Sequence, residues 1–537
     1  MTALQLRPYQ AEAISAILGE FASGRRRTAA VLPTGMGKTV IFAHLIRRWL
    51  AEHGGRAVVL VHRDELAAQA LDKIRQVDPD LHVGLVQAER RDYAAQVLVC
   101  SVQTVSRPDA LQVLPELGVS LVVVDECHHA AAPTWRAVID TLSGRAFVVG
   151  FTATLDRADD RGLGEVFETV AYRRSIVDGI LGGYLVPPRG RRIVVQGLRL
   201  DNVKVHAGDF VPGHLGSVLG YADAPRVVAK AYAEHAGDRP GVAFWPTVTL
   251  ATTAAEALRD QGIPAAAVHG SMPLDERRAT LQAFMAGDLQ VLTNAMVLTE
   301  GWDAPRAEVC VIARPTRSPA LYVQMVGRVL RPYPGKREAL VLDVSGASED
   351  HRLATLAVLA QDVARGPYDD QPPLHIPDGA LLTDVITPEL ARRGQVIAQD
   401  VDLFHRDTLW LRTYDGVPFI PAGDDIVFLW PDDQPGRYRV GLRRRRGGEW
   451  LRTGLDLEMA LLAAEDAASE RAQYSSRSAP WRRRREPPSP GQLELAQRLG
   501  LYVPDGATKR DVSDLISIHF ASGALDRAYR ALQEQRK

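Results

Sequence analysis

Residues 31–40, VLPTGMGKTV, set a short aliphatic run against two glycines, a lysine and a threonine. A strand that ends in a Gly-rich loop and opens directly into a helix aims backbone N–H groups and the helix N-terminus at one point, which favours an anion. Such a loop is a phosphate cradle. Thr34, Gly35, Met36 and Gly37 line it, Lys38 is placed for the β- and γ-phosphates of a nucleotide, and the Thr39 hydroxyl for Mg2+. Leu32 stands where the strict G-x-x-x-x-G-K-[ST] pattern has its first glycine, so this loop alone leaves an ordinary Gly-rich turn as an alternative.

Residues 122–135, VVVDECHHAAAPTW, decide between them. Cys127, His128 and His129 are competent soft-metal ligands, whereas Asp125 and Glu126 close a β-branched run and can serve Mg2+ and a water. No further thiol or imidazole stands nearby at metal-site spacing, but a phosphate cradle precedes the pair. The carboxylates then fall at the carboxyl edge of a sheet, where open α/β folds bind ligands. Asp125 holds Mg2+, partly through its water shell, and Glu126 accepts a proton from the attacking water.

Outward from these two stretches, residues 27 to about 330 alternate short β-branched runs with helical patterns, which predicts an α/β fold of two parallel-sheet halves. The Pro- and Gly-rich GYLVPPRGRR, residues 183–192, reads as the hinge between them. After a second break at residues 364–379, aromatic residues and turn signals predict a small antiparallel β module, followed by a helix. The chain of 537 residues has 46% hydrophobic and 24% charged residues and a net charge of −1, the composition of an ordinary globular protein of several domains. Three scattered cysteines exclude a disulfide framework, and a reducing cytoplasm is the expected compartment. The start, MTALQLRPYQ, lacks the pattern of a signal peptide, and no apolar run of about 18 residues is present, so no membrane is expected.

LRPYQAEAI, PTGMGKT, VHRDELAAQ, SVQT, DECH, FTAT, TEGWDAP and QMVGRVLRP follow one another in the order of the superfamily two helicase motifs. Residues 4 to 345 thereby resemble the DEAD/DEAH-type DNA helicases, nearest to the RadD-like and XPB/Ssl2-like groups. The resemblance implies two tandem RecA-like parallel-sheet domains, an ATP-binding one at 1–190 and a helicase C-terminal one at 191–365. A linker at 366–400, a small β-rich module ending in a helix at 401–470, an Arg/Pro/Ser-rich linker at 471–490 and a helical module at 491–537, faintly similar to SAP domains, complete the expected order. It also implies an ATP hydrolase using Mg2+, acting on nucleic acid, DNA with a single-stranded tract, and taking protein partners through the C-terminal modules. An RNA helicase and an ATP-switched clamp that does not unwind are the alternatives.

Carried over by resemblance, Gln10 reads the adenine edge, with Arg7 and Tyr9 shaping that pocket; a bidentate amide suits adenine. Arg328 and Arg331 resemble arginine fingers, and their spacing places them on one helix face. Gln324 matches a γ-phosphate contact, while Gly301 and Asp303 match the motif that links nucleotide state to closure. His128, Thr152 and Thr154 resemble coupling residues. Arg63, Gln69, Ser101, Gln103 and Thr104 in the first half, with Trp245, Thr247, His269, Gly270, Thr293 and Asn294 in the second, are the expected nucleic-acid contacts, mostly donors for backbone oxygens. Two runs of four arginines, at 443–446 and 482–485, offer a salt-sensitive grip on phosphates, with a solvated charged turn as the plain alternative. The aromatics Trp410, Tyr414, Phe419, Trp430, Tyr438 and Trp450 recur at strand spacing, which favours a β core over base stacking.

Overall fold

The structure, a computed structural model, describes residues 4–62, 64–144, 146–153, 163–201, 203–206, 209–299, 302, 304–346, 359, 378–385, 408–434, 436–444, 447–471, 482, 486–504 and 506–535. The chain divides into two compact units, residues 1–159 with 171–398, and residues 160–170 with 399–537. No described helix is long and apolar enough to cross a membrane.

The first unit holds two RecA-like lobes. In the first lobe the strands are β1 (Arg27–Val31), β2 (Arg56–Val61), β3 (Val83–Gln87), β4 (Arg90–Arg91), β5 (Val97–Ser101), β6 (Val119–Asp125), β7 (Phe147–Thr152) and β8 (Thr169–Arg173). Their order in the sheet is β4-β3-β5-β2-β6-β7-β1-β8. The central strands are apolar along their whole length because helices cover both faces: Ala57 through Val61 and Leu121 through Val124 are fully buried. β1 pairs in parallel with β7, and β7 with β6, so the loops leaving β1, β6 and β7 emerge at one sheet edge. That edge gathers the cradle, DECH and FTAT.

The second lobe is an all-parallel sheet in the order β13-β14-β12-β15-β16-β9, built from β9 (Pro188–Val195), β12 (Gly241–Phe244), β13 (Ala265–Val268), β14 (Val291–Asn294), β15 (Val309–Ile312) and β16 (Ala339–Gly346). β9 begins inside the stretch that reads as a hinge in the sequence and runs past it. Its proline and its glycine are tolerated because β9 is the edge strand, and Pro188 opens it. A small hairpin, β10 (Val205–His206) with β11 (Asp209–Phe210), follows β9. Asp209 anchors it, accepting from Arg314 Nη2 at 3.2 Å and from the Arg317 amide at 2.9 Å.

The second unit centres on an antiparallel meander, β17 (Leu411–Arg412), β18 (Pro418–Ala422), β19 (Asp425–Pro431), β20 (Tyr438–Arg443) and β21 (Gly448–Leu455). Phe419 and Phe428 pack with Ala521 and Leu525 of the helix Lys509–Gln535. The helix Leu457–Ser469 lies against the same sheet and is apolar on nearly every side, as a helix enclosed by its neighbours must be. Asp456 caps it by accepting from the Met459 amide at 2.8 Å, and its second oxygen accepts from the Val170 amide at 2.8 Å. The packing here is close: a Cβ on Gly164 would come within 2.5 Å of the Met459 carbonyl oxygen.

The second arginine run departs from its expected role at the one member described. Arg482 is 5% exposed and donates to both oxygens of Asp514, at 2.6 Å to Oδ2, so it stabilises the helical module instead of facing phosphates. Burial with a bidentate carboxylate explains this, since an unpaired guanidinium would not be tolerated there. Most of the 366–400 linker and of the 471–490 linker lies outside the described residues.

Candidate active site

The cradle follows β1 directly. Gly35 and Gly37 have φ of +94° and +73°, a region that costs an L side chain energy, and Gly37 is the N-cap of the helix Lys38–His53. A Cβ on Gly37 would lie 2.7 Å from Gln10 Nε2, so the loop is closely wrapped as well as left-handed. Lys38 and Thr39 open the helix; Lys38 is 9% exposed and Thr39 half-buried. The Lys38 ammonium lies 3.5 Å from Glu126 Oε1 and 3.4 Å from the Leu32 carbonyl oxygen.

Asp125 ends β6, and Glu126 takes the left-handed conformation, φ +48°, before the short turn Cys127–His129. A non-glycine residue there is sparsely populated and marks a constrained site. Both carboxylates are buried, at 5% and 8% exposure. Burial and the Glu126 charge push Asp125 above the usual carboxylate range, to about 6. Burial acts on Glu126 in the same sense, but Lys38, His128 and Arg328 outweigh it and hold that carboxyl well below its ordinary value. Glu126 Oε2 is buried without a hydrogen bond, at 3.4 Å from His128 Nδ1. That oxygen is an acceptor with spare capacity, the property a water-activating base requires.

His128 Nδ1 also lies 3.3 Å from Thr152 Oγ1, so DECH and FTAT meet through one imidazole nitrogen inside the first lobe. Thr154 lies outside the described residues, as do Arg63, Gly301 and Asp303. Cys127 is buried with its thiol pushed well up by burial, then by Glu126 and Asp125, so it stays a neutral thiol. Among the described residues no group of three or more His, Cys, Asp or Glu side chains is placed to hold a metal ion. Mg2+ asks for less, one or two protein oxygens with water and phosphate completing its shell, and Thr39 with Asp125 fit that donor set.

The second lobe meets the cradle. A Cβ on Gly327 would come 2.8 Å from Thr34 Cβ, and one on Gly35 would come 3.1 Å from Arg331 Cγ. The Val186 amide donates to the Leu330 carbonyl at 2.8 Å, tying the connection between the lobes to the same turn. The helix bearing Gln324 runs Pro319–Gly327, capped by Ser318, and Gln324 is 9% exposed. It stops short of both arginines: Arg328 is its C-cap, and Arg331 precedes Pro332, which disfavours helical backbone before it. The two arginines therefore do not share a helix face. Arg331 lies over Gly35, whereas Arg328 is buried, donates to the carbonyls of Thr299 (Nε, 3.0 Å) and Trp302 (Nη1, 2.8 Å), and acts electrostatically on Glu126. Both still converge on the cradle and DECH.

Arg7, Tyr9 and Gln10 gather beside the loop. Tyr9 donates to the Met36 carbonyl at 2.7 Å and Gln10 Nε2 to the same oxygen at 3.3 Å, while Gln10 Oε1 accepts from the Arg7 amide at 2.9 Å. Here one end of the Gln10 amide braces the cradle at Met36 and the other caps the start of its own helix at Arg7. Tyr184 escaped the sequence reading because GYLVPP registered only as a hinge. Its ring centroid lies 4.5 Å from that of Tyr9 and 5.6 Å from the Arg7 guanidinium carbon, adding an aromatic wall.

The expected nucleic-acid residues divide. Gln103 is exposed, accepting from Ser101 at 2.7 Å and donating to the His62 carbonyl at 3.0 Å, and Gln69 is half-buried. Ser101 and Thr104 are buried, Thr104 accepting from the Ala88 amide. In the second lobe His269 and Gly270 are accessible, and Thr247 is half-buried as a helix N-cap accepting from the Leu250 amide. Trp245, Thr293 and Asn294 are fully buried; Thr293 donates to Ala251 and Asn294 to Ala243. Thr293 and Asn294 lie on β14 inside the sheet, where polar atoms find backbone partners, and Trp245, just after β12, fills the lobe's core.

Residues 3–157 match the family model of the type III restriction enzyme res subunit, and residues 224–333 that of the helicase conserved C-terminal domain. A Saccharomyces cerevisiae protein, IRC3, named as an ATP-dependent helicase, is 32% identical over 359 residues, covering 64% of this chain and 52% of its own. Its Schizosaccharomyces pombe counterpart, named as a mitochondrial ATP-dependent helicase, is 35% identical over 380 residues, covering 68% and 62%. The DNA 3'-5' translocase XPB2 of Sulfurisphaera tokodaii is 23% identical over 390 residues, covering 65% and 84%. The alignments thus span between half and two thirds of the length of the first two relatives. With one family model on each lobe and ATP-dependent helicases aligned across both, this chain carries the paired domains of a superfamily two helicase core of DExH type.

Proposed function

We propose that the chain is an Mg2+-dependent ATP hydrolase that moves along or unwinds DNA with a single-stranded tract. The observation that carries this is that Arg331 packs over the cradle at Gly35 while the charge of Arg328 acts on Glu126, the carboxylate beside Lys38. One wall holds the triphosphate and activates water; the other supplies positive charge where it develops on the transferred phosphoryl group. Thr39 and Asp125 would hold Mg2+, which when bound neutralises charge between the β- and γ-phosphates. Glu126 receives the proton of the attacking water at Oε2, and Lys38 keeps that carboxylate ionised and positioned. Loss of the γ-phosphate removes what the arginines share with the cradle, so the lobes can part and one strand grip can shift against the other.

Gln103 on the first lobe and His269 with Gly270 on the second supply accessible donors or backbone at the strand ends, suited to sugar and phosphate without base selection. DNA is favoured by the names of the XPB relatives, a DNA 3'-5' translocase and a DNA 3'-5' helicase. A reducing compartment such as the cytoplasm suits three buried free thiols. ATPase assays with single-stranded DNA, duplex DNA and RNA as stimulators test the reading. Single-stranded DNA is expected to raise turnover by about tenfold or more over the basal rate, an extra stabilisation of roughly 1.4 kcal/mol in the transition state. Stimulation by RNA alone would reassign the substrate.

A further inference from the structure

The aromatic residues of the C-terminal sheet have two fates. Trp410 is 2% exposed and donates to Glu465 Oε1 at 2.9 Å, and Phe419 is fully buried, so both fill the module's interior. Trp450 does not. It sits on β21, the strand that ends the meander, and 47% of it is open to solvent. Its ring is supported from within by Phe428 at 5.7 Å and Trp430 at 6.2 Å between centroids, and Trp430 is in turn packed against Tyr529 at 5.4 Å. A large ring packed against two others and still half open presents a fixed aromatic face to solvent.

Guanidinium groups flank that ring, two of them paired with carboxylates. The Arg439 guanidinium carbon lies 5.7 Å from its centroid, fixed by ion pairs to Asp432 and Asp433. Trp450 pairs with Gly441 across the β20–β21 ladder, and a Cβ on Gly441 would collide with the Phe428 ring, so Gly441 faces the aromatic cluster. Arg443, two residues further along β20, therefore shares that face, and it is exposed. Arg444 follows at the turn, exposed and paired with Glu449 at 2.7 Å. The first arginine run thus enters the turn beside the open indole.

We propose that Trp450, with Arg443 and Arg444, forms a single-stranded nucleic-acid contact in the C-terminal unit, a base stacking on the indole while the guanidiniums take the flanking phosphates. It rests on the reading of the motor as one that acts on nucleic acid. The chemistry is complementary on both counts: an aromatic face accepts any base, and arginines at the strand's edge meet the backbone charge. β21 ends the sheet, so no further strand pairs with its outer side among the described residues. Such a contact holds the strand without reading its sequence.

The test uses the full chain without nucleotide, titrated with a short oligothymidylate and a matching oligouridylate while intrinsic tryptophan fluorescence is followed. Trp450→Ala is expected to weaken oligothymidylate binding by about tenfold and to lose the stacking quench, while Trp450→Phe restores most of the affinity. Arg443→Gln should flatten the log–log salt dependence by about 0.7, the contribution of one phosphate on a single strand. ATP turnover at saturating DNA should match the parent in all three, because the site lies outside the catalytic machinery. A parent that responds to DNA and a Trp450→Ala chain that titrates like it would overturn this site alone. A parent that neither binds nor is stimulated by either oligonucleotide would overturn the motor reading together with it.

Discussion

Glu126→Gln is expected to bind ATP and to turn it over about 10²- to 10⁴-fold more slowly than the parent chain, the range for loss of a positioned general base. The amide keeps the shape of the side chain, so the left-handed backbone at φ +48° and the packing of the turn Cys127–His129 are preserved. What it loses is basicity at Oε2, the buried oxygen without a hydrogen bond. Lys38, at 3.5 Å, loses its carboxylate partner but remains available to the phosphates, so binding should persist. Single-turnover hydrolysis beside equilibrium binding of a fluorescent ATP analogue separates the two effects. Unchanged hydrolysis would remove Glu126 from the reaction.

Arg328→Ala carries the second large effect, a fall in kcat of about 10³-fold or more, as for arginine fingers elsewhere. This arginine has a second duty. Its guanidinium satisfies the carbonyls of Thr299 and Trp302, so the substitution leaves buried acceptors unpaired, and the melting temperature should fall as well. Arg328→Lys distinguishes the roles: it keeps a positive charge but lacks the planar fork that reaches both carbonyls. Partial recovery of kcat with Lys would assign the loss to charge at the phosphoryl group. Loss of stability with kcat intact would make Arg328 a strut between the turn after the arginine helix and the Thr299–Trp302 segment.

The fold class and the ATP-binding edge were legible because their signals are local. A strand that is apolar throughout must be buried on both faces, and two such strands ending in GKT and DE put their functional groups at one edge by topology alone. The failures follow from what spacing cannot encode. A spacing of three from Arg328 to Arg331 implies a shared helix face only if the helix continues, and Pro332 with the C-cap at Arg328 ends it. GYLVPPRGRR has the composition of a hinge, yet an edge strand tolerates its proline, and Tyr184 within it lines the pocket beside Tyr9. Trp245, Thr293 and Asn294 match motif positions by sequence, but burial depends on the depth at which each strand ends. The half-exposed Trp450, beside the buried Trp410 and Phe419, could be found only once the sheet had an edge.

Displacement of streptavidin from biotinylated single-stranded DNA tests most directly the claim that hydrolysis at this composite site drives movement on DNA. ATP-dependent displacement from one end of the oligonucleotide in preference to the other is expected, and its abolition in Glu126→Gln. DNA-stimulated hydrolysis with no displacement from either end would contradict it, and would leave an ATP-switched clamp in place of a motor.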